Sequence, residues 1–143
     1  MTLAERRKGV VVRPYSTHIR DRIVALLKRV NIEVEIDEVL TGPIPDEDAV
    51  HHLLEKKVDV LLIPYHALKD KHGEFTTGLN LVRKLRTQSK YKRTPVIMPV
   101  TRLQAPGFSM RFEDGIDSTQ LFVIKESDLD DVDKLTEELR AFL

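Results

Sequence analysis

The chain has 143 residues, 41% apolar and 32% charged, with 23 Lys and Arg balanced by 23 Asp and Glu. That length suits one domain over residues 1–143, large enough to build a core without covalent staples. Zero formal charge speaks against a general nucleic-acid binder, which carries a basic excess, and the lack of cysteine removes disulfides, thiolate metal sites and a cysteine nucleophile. No apolar run reaches the length of a membrane span, and the opening "MTLAERRKG" lacks the apolar core of a signal peptide. The expectation is a cytoplasmic protein with no membrane insertion.

"KGVVVR" (8–13) predicts a short buried strand. "STHIRDRIVALLKRV" (16–30) predicts a helix, with Ile19, Ile23, Leu26, Leu27 and Val30 on one face and Ser16 or Thr17 as its cap. "IEVEIDEVLT" (32–41) alternates through Ile32, Val34 and Ile36, as a strand at a sheet edge does. "DEDAVHHLLEKK" (46–57) opens with acids and closes with lysines, matching a helix macrodipole. "VDVLLIP" (58–64) is a near-continuous apolar strand. A polar loop follows, and Thr76 or Thr77 caps a helix, "GLNLVRKLRTQS" (78–89). "PVIMPV" (95–100) is a fourth strand. The next stretch is broken by Pro106-Gly107 and has room for one short helix near Met110 to Asp114. "LFVIK" (121–125) is a fifth strand, and residues 127–143 form a last helix with Leu129, Val132, Leu135, Leu139 and Phe142 as its apolar stripe.

Five strands alternating with helices argue for an α/β fold with a parallel sheet and right-handed crossovers. The first, third and fourth strands are the most apolar and belong in the centre, with the alternating second strand at an edge. The flavodoxin-like order 2-1-3-4-5, with helices on both faces, fits this pattern. Ligands of such folds sit beyond the carboxyl ends of the strands. The first turn there, "VRPYSTH", lacks the Gly-rich loop of a nucleotide binder.

"VDVLLIP" followed by "GLNLVRKLR", then "TPVIMPVT", then "LFVIKES", come in an order and at a spacing that resemble the receiver domain of bacterial two-component response regulators. The resemblance runs over roughly residues 8–143. It implies two metal-binding acids after the first strand, where this chain has Arg13 and Pro14. It implies a phosphoacceptor Asp after the third strand, where this chain has Pro64, and a Ser or Thr ending the fourth, where Val100 stands with Thr101 next. The lysine after the fifth strand is kept as Lys125, and the switch aromatic three residues earlier is Phe122. A phosphoryl acceptor must be a carboxylate, and a hard dication needs oxygen ligands. The resemblance therefore implies a degenerate pseudo-receiver, not phosphorylated on Asp, with no metal and no cofactor. Compared with the family, the loop from Pro64 to Gly78 is longer, with its extra piece at residues 69–75, and Leu68 replaces a usual proline.

Other readings of these residues carry less. Arg13 is expected to pair with Asp37 or Glu38. His66 and His72 share one loop without a fixed scaffold, which does not make a metal site. His51 and His52 are adjacent on a helix and diverge. "DKHG" lies after the wrong strand, with the wrong glycine spacing, for a cobalamin-binding motif. No set of nucleophile, base and orienting group is present, so no enzyme is expected. The expected function is a phosphorylation-independent signalling module working by protein–protein interaction, with a homodimer among its candidate forms and no nucleic-acid partner. Phe108, Arg111, Phe112 and Phe122 are its candidate partner-binding residues, and the chain could serve as the amino-terminal module of a longer protein. The alternative is a sensor of small anions or metabolites, held by Arg13, Thr101 and Lys125.

Overall fold

The fold was obtained as a computed structural model, and it describes residues 7–12, 17–42, 44–65, 68–69, 75–100 and 120–143. Strand β1 is Arg7–Val11, β2 Ile32–Glu35, β3 Val60–Leu62, β4 Leu68–Lys69, β5 Phe75–Thr76, β6 Val96–Val100 and β7 Leu121–Lys125. Helix α1 is Thr17–Arg29, α2 Asp46–Leu54, α3 Gly78–Arg86 and α4 Val132–Phe142, with short 3-10 turns at Ser89–Tyr91 and Glu126–Asp130. Five strands form one sheet in the order β2-β1-β3-β6-β7, all pairs parallel, and β4 and β5 form a separate antiparallel pair. Setting that small pair aside, the order is the 2-1-3-4-5 predicted from the apolar pattern.

Strand pleating explains the two cores. Alternate residues Val10, Val12, Leu61, Ile63, Val96, Met98 and Leu121 pack with α2, α3 and Tyr91. The residues between them, Val11, Val60, Leu62, Ile97 and Ile124, pack with α1 and α4. A strand buried on both faces must be apolar at every position, as β3 and β6 are. Ile19, Ile23, Leu26 and Leu27 of α1 are buried, each contributing about 1.5–3 kcal/mol by removal from water. Asn31, at φ 62°, follows α1 in the left-handed region that Asn tolerates. No helix among the described residues is long and apolar enough to cross a membrane.

Local hydrogen bonding moves several predicted boundaries. β2 stops at Glu35 instead of reaching residue 41, because the Asp37 carboxylate accepts the N–H groups of Val39 and Leu40 and the Asp37 carbonyl accepts that of Thr41. Ile36, predicted to continue the buried face, is consequently 47% exposed. α2 ends at Leu54, and Lys56 reaches Glu35 at 3.0 Å and Asp37 at 3.0 Å instead of closing the helix. Thr77 does stand at the amino-terminal cap of α3, but its hydroxyl makes no capping bond. The last predicted helix divides: residues 126–130 form the 3-10 turn, Asp131 caps a new start through the N–H of Lys134, and Val132 falls outside the apolar stripe at 37% exposure. The predicted short helix at residues 110–114 and the cap at Ser16 lie outside the described residues.

Candidate functional site

β1, β3, β6 and β7 all run toward one end of the sheet, and the turns there form the candidate site. Val12 continues β1 and bonds the Leu62 carbonyl at 2.9 Å. Ile63 and Tyr65 donate to the carbonyls of Ile97 and Pro99, each at 3.0 Å. Odd-numbered residues of this stretch thus bond β6, so the nitrogen of residue 64 faces β1. A proline there has no N–H to give, and the β1–β3 ladder ends. Pro64 is buried, and so is Val100, which pairs in register with Lys125.

Pro64 is held from the far side by Gly78. A Cβ built on Gly78 would stand 2.2 Å from the Pro64 carbonyl oxygen and 3.2 Å from Ile63 Cγ2. The start of α3 therefore lies directly on the backbone of residue 64, a contact only glycine permits. Between them β4 and β5 pair Leu68 with Thr76 and Lys69 with Phe75. This antiparallel pair is the extra loop that the sequence predicted only as irregular chain.

Lys125 ends β7 exposed. Its backbone N–H bonds the Asp128 carboxylate at 2.8 Å, and its ammonium has no hydrogen bond or ion pair among the described residues. Phe122 is half-buried against the α1–α4 core, its ring 5.2 Å from that of Phe142 and inclined at 45°. Val12, Pro64, Tyr65 and Val100 offer no carboxylate to a divalent cation. Among the described residues no group of three or more His, Cys, Asp or Glu is placed to hold a metal. Arg13, Pro14, Thr101, Phe108, Arg111 and Phe112, together with His66 and His72, lie outside the described residues.

Asp37, one of the acids assigned to Arg13, is already occupied. It accepts from His52 Nε2 at 3.1 Å and Lys56 Nζ at 3.0 Å, besides two backbone N–H groups. His52 first, then Lys56, hold its carboxyl well below the usual carboxylate range. Glu35 first, then Asp37, raise Lys56 above its ordinary value. Asp37 lies outside the segment that carries His52 and Lys56, so no local spacing signalled that both would meet it. Because the folded Asp37 titrates below the unfolded one, its contribution is full above about pH 4 and is lost as pH falls further. Asp37→Asn is expected to lower stability at neutral pH by about 1.5–3 kcal/mol, the range for bonds to charged groups. Urea midpoints measured across pH would show a flatter acid limb in the variant.

No protein-family model matches this chain, and no curated protein matches it. Solved structures do. A sensor protein from Polaromonas sp. JS666 superposes with a TM-score of 0.64 at 12% identity, over 96% of this chain and 95% of that one. A CheY-like response regulator receiver domain from Methylobacillus flagellatus gives 0.61 at 18% identity, over 97% and 100%. The signal receiver domain of an HD domain-containing protein from Pseudomonas fluorescens Pf-5 gives 0.62 at 17% identity, over 100% and 91%. The fold is that of a response-regulator receiver domain. At these identities the likeness is one of fold.

Proposed function

We propose that this chain is a pseudo-receiver: a two-component-type signalling module that takes no phosphoryl group on aspartate, is not an enzyme, and acts through protein–protein contacts. The observation that carries this reading is Pro64, buried at the carboxyl end of β3, where the receiver resemblance calls for the phosphoacceptor Asp. Phosphoryl transfer to a carboxylate needs the carboxylate itself, and a dication to offset charge on the transferring oxygens. By sequence, Arg13 and Pro14 fill the positions that would hold that ion, and neither offers a side-chain oxygen. Partner contacts are concentrated in a few aromatic and arginine anchors, which by sequence are Phe108, Arg111 and Phe112, with the half-buried Phe122 contributing the exposed part of its ring.

Incubation with acetyl phosphate and Mg²⁺ is expected to leave the intact mass unchanged. An added phosphoryl group mapped to an aspartate of the carboxyl-end loops would overturn the reading. Pro64→Asp alone is also expected to stay unlabelled, because the metal-binding pair is still missing. Labelling of that variant would show the assignment of Arg13 and Pro14 to be wrong.

A second reading, a sensor of small anions, draws support from the exposed ammonium of Lys125 at this end of the sheet, which has no hydrogen bond or ion pair among the described residues. Inorganic phosphate at a hundredfold excess over its dissociation constant would then stabilise the fold by about 2.7 kcal/mol. An unchanged melting temperature up to millimolar phosphate would remove that reading.

A further inference from the structure

Zero net charge conceals a strong segregation. Residues 83–93 hold six Lys and Arg and no acid, while residues 126–133 hold five acids and no Lys or Arg. Helix macrodipoles account for some of this, since they favour cations at helix carboxyl ends and acids at amino ends. They do not account for Lys92 and Arg93, which lie beyond α3 in the lead to β6, or for Arg7 and Lys8, which open a strand.

These surplus cations meet at the amino-terminal end of the sheet. The Asp59 carboxylate accepts the Lys8 N–H at 2.8 Å, and the Asp59 N–H bonds the Lys8 carbonyl at 2.8 Å. Carrying the β3–β6 register two steps back sets Thr94 abreast of Asp59. Neighbouring strands are about 4.8 Å apart, so Arg7, Lys57 and Arg93 flank one short row. The side chains of Arg7, Lys8, Lys57, Lys92 and Arg93 are all exposed, and none has a hydrogen bond or ion pair among the described residues. Beside the row lies an open cleft of about 410 Å³, with Val58 and Pro95 as its apolar lining and three cations, Lys90, Lys92 and Arg93, against one acid, Asp59, whose carboxylate is engaged by the Lys8 N–H.

The acidic segment is at the other end of the molecule, beyond the carboxyl end of β7. Asp130, Asp131 and Val132 are exposed there, so the segment presents an apolar side chain preceded by free carboxylates, while the next carboxylate, Asp133, is paired with Arg29 at 2.7 Å. An apolar spot ringed by cations is the complement of an apolar side chain beside acids. We infer that the basic cleft at the amino-terminal end of the sheet binds the acidic segment around Val132 of a second copy of this chain, joining protomers head to tail. Such a contact is heterologous: each protomer keeps one free basic end and one free acidic end, so assembly propagates until a ring closes or the chain stays open. Its small area and exposed charges place it among weak, salt-sensitive associations. A nucleic-acid occupant is less suited, because the acidic end repels phosphates and none of the described residues lining the cleft is an exposed aromatic for base stacking.

Sedimentation velocity of the full chain tests this with two charge-reversal variants, Lys92→Glu/Arg93→Glu at the basic end and Asp130→Lys at the acidic end. Asp131, the cap of α4, and Asp133, the partner of Arg29, are left intact, and circular dichroism checks folding. The wild type is expected to associate with rising concentration at low salt and to return to monomer in about 0.5 M salt, where the screening length falls to a few ångströms. Each variant alone is expected to stay monomeric. Their equimolar mixture is expected to form a 1:1 dimer that grows no further, since only one compatible basic–acidic pair remains. A wild type monomeric at millimolar concentration in low salt would overturn the inference, as would variants that still self-associate or a mixture that fails to dimerise. So would a wild type that stays monomeric while a single-stranded oligonucleotide or anionic vesicles bind it and not the basic-end variant, which would assign the cleft to another polyanion.

Discussion

Gly78→Ala is expected to destabilise the fold by about 3 kcal/mol or more, at or above the upper end for overpacking a filled site. The added carbon would stand 2.2 Å from the Pro64 carbonyl oxygen and 3.0 Å from its carbonyl carbon. Both are backbone atoms, so relief requires α3 to move off the end of β3. Pro64 has little freedom to retreat, because the flanking Ile63 and Tyr65 are bonded to β6. Gly42→Ala is the control: among the described residues its Cβ would meet nothing nearer than 3.5 Å, an ordinary contact. Urea unfolding should show a large drop in midpoint for Gly78→Ala and a change within about 0.5 kcal/mol for Gly42→Ala. Equal midpoints would mean that α3 does not rest on residue 64.

Arg86→Ala is expected to cost about 2–4 kcal/mol. Arg86 Nη1 donates to the carbonyls of Tyr91 and Thr94, each at 2.7 Å, and Nη2 to that of Gln120 at 3.3 Å. One guanidinium thus joins the end of α3 to the segments that lead into β6 and β7. Bonds to a charged donor contribute about 1.5–3 kcal/mol each, and these three are not additive because water reaches part of the site. Arg86→Lys should recover less than half of the loss, since an ammonium on a flexible stem cannot reproduce a planar fork. Amide exchange along β7 would rise in both variants. A midpoint for Arg86→Lys equal to wild type would show that charge alone, not the fork, makes the connection.

Tyr91 extends the same connection to α2. It is fully buried, and its hydroxyl donates to the Leu53 carbonyl and lies 3.2 Å from that of Lys56. The exposed carboxyl end of α2 is closed further by Lys90 Nζ on the Leu54 carbonyl at 2.9 Å. Burial first pushes the Tyr91 phenol above its ordinary value, with Lys56 opposing. A raised folded value means its stabilisation is full below about pH 10 and fades as pH climbs through the folded value. Within "RTQSKYKR" nothing distinguishes this tyrosine from a surface residue of a basic loop.

What the sequence determined by itself is the sheet. Continuous apolar runs at β3 and β6 and the interrupted alternation of β2 assign centre and edge, because burial on two faces demands apolar side chains at both parities of a strand. The same runs locate the residues at the carboxyl end, so the unusual Pro64 was legible before any fold was known. Only the tertiary structure decided how that end is held: Gly78 against the Pro64 carbonyl, Arg86 across three segments, and Asp37 among His52 and Lys56. It also decided where strands and helices stop, since β2, α2 and α4 are cut short or restarted by side chains and turns that compete for backbone groups. Periodicity reports which face of an element meets the core. Contacts between residues distant in sequence, and the hydrogen bonds that end an element, depend on positions that exist only once the chain has closed on itself.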